Sequence, residues 1–298
     1  MHSSTSWRDY LEVCKPKIVA TMLFTALVGM YLAAPAAVEW QVLLAGTVGI
    51  GFVVAASAAI NQLLDRRIDA VMERTQKRPL PAGHLSTGQV LVFSSLLGAL
   101  GMLVLLAWVN WLTALLTFLS MLGYAVIYTR FLKYATPQNI VIGGAAGSTP
   151  PLLGWVAVTG EIDPGALLLF LIIFVWTPPH FWALALYRKE DYAQANVPML
   201  PVTHGENYTR LHILLYTILL AAVTVLPYTI GMSGLLYLLG VLLLNAVFLY
   251  YAITLKWRPN RQKAMDTFGY SIVYIFLLFG LMLLDAHLPI LHALLFII

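Results

Sequence analysis

The sequence predicts an all-α polytopic membrane protein with nine transmembrane helices. Of its 298 residues, 60% are hydrophobic and only 10% are charged, which is far outside the range of water-soluble domains. Nine apolar stretches are long enough to cross a bilayer. The 17 Lys and Arg residues are confined to the N-terminus and to alternate connections between these stretches, as the positive-inside rule requires of cytoplasmic segments.

Each apolar window holds about 20 residues, which is the length of a membrane-spanning helix. The windows cover roughly 18–36, 42–64, 87–108, 111–130, 138–158, 165–186, 210–230, 234–255 and 268–286. The tail from His287 to Ile298 is apolar but too short for a tenth span. The distribution of basic residues predicts a cytoplasmic N-terminus, with the connections after spans two, four, six and eight on the same side.

Charge and cysteine content exclude several classes of function. The net charge of +4 reflects the basic cytoplasmic face, so it does not indicate nucleic-acid binding. Cys14 is the single cysteine, which excludes an internal disulfide and a cysteine-based metal site.

The polar stretch from Asn61 to Gly83 is the strongest functional signal. Asn61, Asp65 and Asp69 recur every four residues, so they share one face of a continuing helix. Clustered carboxylate and amide oxygens suit a hard cation such as Mg2+, and Asp65 and Asp69 are the candidate ligands. The alternative is a solvated helix end with i,i+4 charge pairs. Prolines then break the helix and predict a rigid loop.

Other residues on the predicted cytoplasmic side have two interpretations. Lys15 and Lys17 flank Pro16 at the start of the first span, and interfacial snorkelling is favoured for them over a phosphate contact. Lys133 and Asn139 lie at the same predicted membrane level as Asp65, where they are placed to meet an anion. Small residues and a Pro pair in span five predict close helix packing and a mid-span break.

Span six carries a second motif. His180 is an ionisable residue at membrane depth, which is a functional-site hypothesis, although a histidine hydrogen-bonded inside the bundle is the alternative. On a continuing helix His180, Tyr187 and Asp191 share one face.

This second motif follows the first by about 120 residues and repeats it in outline. The repeat predicts two four-helix halves, about 15–135 and 136–255, with a last helix at about 268–286. Together they form one integral-membrane domain over 1–298, around a central cavity.

These motifs resemble the UbiA-type intramembrane polyprenyltransferase superfamily. Within it, several segments resemble the haem O synthase (protohaem IX farnesyltransferase) branch, namely 69–79, 139–147, 176–184, and 191–192 with 197–202. The resemblance is dense from residue 15 to about 210 and rests on topology beyond. One departure is Tyr187-x3-Asp191, where many superfamily members have two Asp residues. It leaves the number of carboxylates at a second metal open.

The resemblance implies transfer of a farnesyl group from farnesyl diphosphate to a vinyl group of haem B, with addition of water and release of diphosphate. It implies Mg2+ as cofactor, with haem B as substrate. The implied metal ligands are Asn61, Asp65, Asp69 and Asp191, and Tyr187 belongs to the second catalytic motif. The implied substrate contacts are Asn61, Arg66, Arg74, Arg78, Lys133, Asn139 and His180.

The implied location is a bacterial cytoplasmic (inner) membrane, with the active site facing the cytoplasm and in contact with membrane lipid. Haem A synthase or terminal oxidase assembly proteins are the implied protein partners. Two other functions remain open. A sister prenyltransferase acting on an aromatic quinone precursor shares the Asp motifs but needs no haem pocket. A secondary transporter also uses broken helices and intramembrane polar residues, but its site lies at the midplane.

The charge distribution makes a prediction about orientation. In a Cys14→Ser background, single cysteines at Gln76, Gln194 and Gln262 should react with a membrane-impermeant thiol reagent only from the cytoplasm. A cysteine at Asp163 should react only from outside. Labelling of positions 76 and 163 from the same side would contradict the nine-span arrangement.

Overall fold

A computed structural model describes the backbone of residues 5–295 and the side chains of residues 5–288. In this part of the chain helices are joined by turns and loops, without strands. The helices are α1 (Trp7–Val13), α2 (Pro16–Ala33), α3 (Trp40–Asp69), α4 (Thr87–Trp108), α5 (Trp111–Leu122), α6 (Lys133–Ala135), α7 (Asn139–Gly147), α8 (Pro150–Thr159), α9 (Pro164–Tyr187), α10 (Lys189–Gln194), α11 (Leu200–Thr203), α12 (Glu206–Val223), α13 (Leu226–Thr229), α14 (Leu235–Trp257) and α15 (Arg261–Leu295). A π-helical segment, Gly123–Leu132, joins α5 to α6.

The nine predicted spans are confirmed, because nine helical segments of the described chain are long and apolar enough to cross a membrane. Span four combines α5, the π-helical segment and α6, span five combines α7 and α8, and span seven combines α12 and α13. The tail predicted to begin at His287 is not a separate segment, since α15 continues to Leu295. Residues 296–298 lie outside the described part.

Spans that follow one another in the sequence pack against each other, and the first span also packs against span five. Along the chain, α2 packs against α3, α3 against α4, α9 against α12, and α14 against α15. The last helix then returns to contact both α2 and α9. The division into two repeated halves stays a prediction.

Small residues bring α2 and α8 into backbone contact, as the composition of span five predicts. A β-carbon on Gly154 would overlap the Ala26 carbonyl, and one on Gly29 would overlap the Pro151 carbonyl. The predicted mid-span break is also confirmed, because α7 ends at Gly147 and α8 begins at Pro150. Close approach of two backbones and a local break shape the wall of span five next to the first two spans.

The N-terminal helix α1 is hydrogen-bonded to the C-terminal part of α3 and to the loop that follows α3. Gln62 donates from Nε2 to the carbonyl oxygens of Glu12 and Val13, both at 3.2 Å. Asp9 lies 3.1 Å from Nδ1 of His84 in the loop. The Ser6 backbone N–H and the contact with His84 lower the pKa of Asp9. These contacts fix the short turn between α1 and α2.

Asp163 has a structural role that bears on the orientation experiment. Its side chain accepts hydrogen bonds from the backbone N–H groups of Gly165 and Ala166 at the start of α9, and from Trp155 Nε1 at 2.8 Å. The neighbouring Glu161 is exposed. A cysteine at Glu161 therefore reports the same loop without removing a helix cap.

The α2–α8 contact predicts a stability difference between two glycines. Gly154→Ala should destabilise the protein by about 1–3 kcal/mol, the usual cost of overpacking, because the new methyl group meets backbone. Gly88→Ala is the matched control, since a β-carbon there meets open space. Thermal unfolding in detergent measures both, and equal melting temperatures for the two variants would contradict the close contact.

Candidate active site

Helix α3 presents Asn61, Asp65 and Asp69 on one buried face, as their spacing predicts. Their exposed fractions are 3%, 5% and 3%, and all three belong to one continuous helix. The alternative of a solvated helix end is therefore wrong. Buried carboxylates need partners, and the partners come from three other parts of the chain.

Asp65 is the centre of this cluster. Its Oδ2 atom accepts from Lys133 Nζ at 2.8 Å and from Asn61 Nδ2 at 3.0 Å. Its Oδ1 atom is buried and has no hydrogen-bond partner among the described residues. A buried carboxylate oxygen without a hydrogen-bond donor raises the free energy of the folded state. This oxygen is therefore available to bind a ligand.

The π-helical segment of span four supplies a partner for Asn61 and positions Lys133, the partner of Asp65. Thr129 donates from Oγ1 to the Tyr124 carbonyl at 2.8 Å and accepts from Asn61 Nδ2 at 3.0 Å. Lys133 follows directly at the end of the segment. The hydrophobic pattern gives no signal for a π-helix, a rare element that is frequently found at functional sites.

Asp69 is paired with the loop that follows α3. Its Oδ2 atom accepts from Arg78 Nη1 at 2.7 Å, and its backbone carbonyl accepts from Thr75 Oγ1 at 3.0 Å. The loop therefore folds back over the end of α3, and Arg78 reaches the cluster as predicted.

Lys15 also belongs to the cluster, so its interpretation as a snorkelling residue is wrong. Its Nζ atom donates to Asn61 Oδ1 at 2.5 Å. Its backbone is left-handed, with φ of 53°, a strained conformation for a non-glycine residue. Burial lowers the pKa of Lys15 to about 7, reinforced by Arg78 and opposed by Asp65. A bound anion would raise that pKa and hold the ammonium group protonated.

Asn139 lies beside this cluster with one atom unused. Its side chain is fully buried, and Nδ2 donates to the Lys133 carbonyl at 3.2 Å. Its Oδ1 atom is buried without a partner in the described part of the chain. Asn139 thus holds the end of span four in place and offers an oxygen to a ligand.

Two predicted phosphate contacts are not brought into this cluster. Arg66 is exposed, and its Nη1 donates to the Leu63 carbonyl of its own helix at 3.0 Å. Arg74 is also exposed. It lies close enough to Tyr192 to oppose the rise in pKa that burial causes there, so the loop after α3 and helix α10 are neighbours.

The second motif differs from its prediction. Helix α9 ends at Tyr187 and α10 begins at Lys189, so Tyr187 and Asp191 do not share a face of one helix. The Tyr187 ring lies beneath the guanidinium groups of Arg188 and Arg261, at 5.3 and 4.6 Å. Asp191 pairs with Arg188 at 3.4 Å. Among the described residues, no three acidic, histidine or cysteine side chains form one ready-made metal cluster.

His180 is buried on α9 with a partner that the sequence does not indicate. Its Nδ1 atom lies 2.7 Å from Ser271 Oγ on α15. Seven residues separate His180 from Tyr187 on the same helix, which is about 10 Å of rise.

The cluster has the chemistry of a site for an anion and a hard cation. Arg78 and Lys133 balance the two carboxylates of Asp65 and Asp69, and Lys15 adds a third positive charge when it is protonated. The excess of cations suits a polyanion. The unpartnered oxygens of Asp65 and Asn139 suit Mg2+ or its bound water.

Comparison with known proteins agrees with this chemistry. Residues 22–281 match the model of the UbiA prenyltransferase family. The chain belongs to this family. Nine apolar helices within residues 5–295, together with this membership, make it an integral membrane protein.

Three relatives that match nearly the whole chain are named protoheme IX farnesyltransferases. The chain is 58% identical to protoheme IX farnesyltransferase 2 of Pseudoalteromonas atlantica, over 95% of this chain and 93% of the relative. It is 57% identical to the protoheme IX farnesyltransferase of Marinobacter nauticus, over 95% and 94%. It is 58% identical to protoheme IX farnesyltransferase 1 of Pseudomonas aeruginosa, over 97% and 96%.

Solved structures share the UbiA fold at lower identity. A digeranylgeranylglyceryl phosphate synthase superposes with a TM-score of 0.80 at 22% identity, covering 94% of this chain and 98% of that one. A UbiA homologue from Archaeoglobus fulgidus bound to DMAPP and Mg2+ superposes with a TM-score of 0.65 at 16% identity, covering 92% and 99%.

The cluster predicts different roles for two neighbouring lysines. Lys15→Met should weaken binding of inorganic diphosphate in the presence of Mg2+ by about 10-fold or more, the cost of a charge-assisted hydrogen bond. Lys17→Met is the matched control, because Lys17 is exposed in the first turn of α2, two residues after Lys15. Isothermal titration calorimetry on the detergent-solubilised protein measures both affinities. Equal affinities would remove Lys15 from the anion site.

Proposed function

We propose that this chain transfers the farnesyl group of farnesyl diphosphate to a vinyl carbon of haem B. Water adds at the neighbouring carbon, and diphosphate leaves. The observation that carries the proposal is 57–59% identity to protoheme IX farnesyltransferases over nearly the whole chain. The buried cluster of cations and carboxylates supports the diphosphate half of the reaction.

Lys15, Arg78 and Lys133 bind the diphosphate in this proposal. Breaking the carbon–oxygen bond of farnesyl diphosphate leaves an allylic cation and places the bonding electrons on the departing diphosphate. Preorganised positive charge lowers the energy of that separation. Asp65 and Asp69 pair with Lys133 and Arg78 at 2.8 and 2.7 Å, so the structure holds these cations in position.

Asp65 and Asp69 are proposed to hold Mg2+, with Asn61 and Asp191 as further ligands. The unpartnered Oδ1 atom of Asp65 fits such a ligand. When bound, Mg2+ neutralises charge on the leaving diphosphate. Asn61 and Asp65 fix each other through the 3.0 Å hydrogen bond.

The allylic cation must be kept from water until the vinyl carbon attacks it. Apolar and aromatic side chains of spans five to seven are proposed to hold the farnesyl chain and the porphyrin. After attack, the positive charge lies on the carbon next to the porphyrin ring, where water adds and loses a proton. His180, on α9, is proposed to contact the haem, as an iron ligand, a propionate contact or a water-positioning group.

We also propose that the site faces the cytoplasm of a bacterial inner membrane, as the basic loops predict. Haem A synthase or terminal oxidase assembly proteins stay predictions as partners. Arg66, Arg74 and Tyr187 stay predictions as substrate or catalytic groups, and substrate entry would have to move them towards the cluster.

Product analysis tests the proposed function. Purified protein is incubated with haem B, Mg2+ and deuterated farnesyl diphosphate, and the haem is examined by mass spectrometry. The expected product is haem carrying one deuterated farnesyl group and one added water. A parallel incubation with 4-hydroxybenzoate in place of haem B tests the alternative that the acceptor is an aromatic quinone precursor. Prenylation of that acid with unmodified haem would overturn the proposal, and turnover of neither acceptor would favour a transporter.

The metal assignment predicts the effect of two conservative substitutions. Asp65→Asn and Asp191→Asn keep the side-chain shape but remove a negative charge, so Mg2+-dependent diphosphate release should fall by at least ~10²-fold, roughly 3 kcal/mol of transition-state stabilisation. Glu73→Gln is the control, because Glu73 is an exposed acid in the adjacent loop. Asp65 is buried and paired, so melting temperatures must accompany the rates. Turnover that survives in both folded variants would contradict the assignment.

A further inference from the structure

The imidazole ring of His180 is held between aromatic rings. Trp176 stacks against it with ring centroids 4.2 Å apart, and Phe268 of α15 stacks with centroids 4.6 Å apart. Phe181 meets it edge-on at 5.0 Å. The stacked neighbours cover the ring faces, so polar contacts are left to the two ring nitrogens.

Ser271 determines which nitrogen carries the proton. Its Oγ atom lies 2.6 Å from the Phe268 carbonyl oxygen, and only an O–H donor can approach a carbonyl at that distance. The hydroxyl has a single proton, and this proton is donated to the Phe268 carbonyl. Since Oγ also lies 2.7 Å from Nδ1 of His180, Nδ1 must be the donor in that contact.

The Nε2 atom of neutral His180 consequently carries a lone pair and no proton. It has no hydrogen-bond partner among the described residues. It is also not one of their fully buried, unpartnered polar atoms, so a ligand can reach it. A propionate is an acceptor, and an acceptor cannot hydrogen-bond to a lone pair. The groups that fit are a Lewis-acidic metal or the O–H of water.

We propose that Nε2 of His180 ligates the iron of haem B and that Ser271 is the positioning residue that keeps the proton on Nδ1. The inference rests on the proposed function. The proton on Nδ1 excludes the propionate contact, and of the two remaining roles we take iron ligation, which the experiment below distinguishes from positioning of water. Metal-binding histidines commonly donate their other N–H to an oxygen, which fixes the ring and raises ligand basicity. The Ser271 hydroxyl supplies that oxygen here.

The position of Ser271 is itself fixed from the side of α9. Trp176 donates from Nε1 to the Ser271 carbonyl at 2.8 Å. Trp176 thus both stacks on His180 and holds the turn of α15 that carries Ser271. The ring, its partner and the partner's backbone form one rigid unit across two helices.

Visible absorption and electron paramagnetic resonance of bound ferric haem test this assignment. His180→Ala should shift the Soret band and abolish the nitrogen-ligand signature, with affinity for farnesyl diphosphate unchanged. Ser271→Ala should weaken haem binding by about 10-fold or more, the usual effect of removing the partner of a metal-bound histidine, and should broaden the signature. Ser271→Thr keeps a hydroxyl and should restore both.

Ser94→Ala is the matched control. Ser94 is buried in α4 and donates to the Leu91 carbonyl of its own helix at 3.1 Å, but it has no histidine beside it in the described structure. A haem spectrum that is the same in wild type, His180→Ala and Ser271→Ala would overturn the inference while leaving farnesyl transfer intact. Loss of hydroxyl addition with an unchanged spectrum would also overturn it, because His180 would then position water. Failure of the wild-type protein to bind haem would overturn the proposed function as well.

Discussion

The ion pair between Asp65 and Lys133 is the contact on which the arrangement of this site depends. It joins span two to span four at 2.8 Å in a region where neither charge has free access to water. Removing one member of a buried pair costs about 3–5 kcal/mol, because the other charge is left unpaired. Asn61 extends the pair to Lys15, and Asp69 extends it to the loop through Arg78. An anion that enters can replace the carboxylates as the partner of these cations. Because the cations are already removed from water, less solvent reorganisation accompanies catalysis.

The fold and the first motif were predictable because each depends on a short period in the sequence. Span positions follow from runs of apolar residues, and the shared face of Asn61, Asp65 and Asp69 follows from helix geometry. The prediction for the second motif failed because of a local break in the helix. Arg188 interrupts it, with φ of −106° and ψ of 27°, so residues four apart on either side of Arg188 no longer share a face. Apolar periodicity carries no information about such a cap.

The remaining misses involve contacts between distant parts of the chain. Lys15 looks like an interfacial lysine because its neighbours are typical of a membrane boundary, and the left-handed turn that directs it to Asn61 has no glycine to indicate it. Ser271 lies 91 residues from His180 and stands in a long apolar helix, where serine is common. Only the packing of α9 against α15 gives that hydroxyl a role.

The order of the cluster residues along the chain has a consequence for biosynthesis. Lys15, Asp65, Asp69 and Arg78 leave the ribosome before Lys133, which pairs with Asp65 from the end of span four. Until span four is made, Asp65 lacks its cationic partner and remains at the hydrated edge of the bilayer, because unpaired charge is costly in hydrocarbon. The charge cluster is therefore complete when span four has been synthesised, whereas Ser271, the partner of His180, is added only with α15.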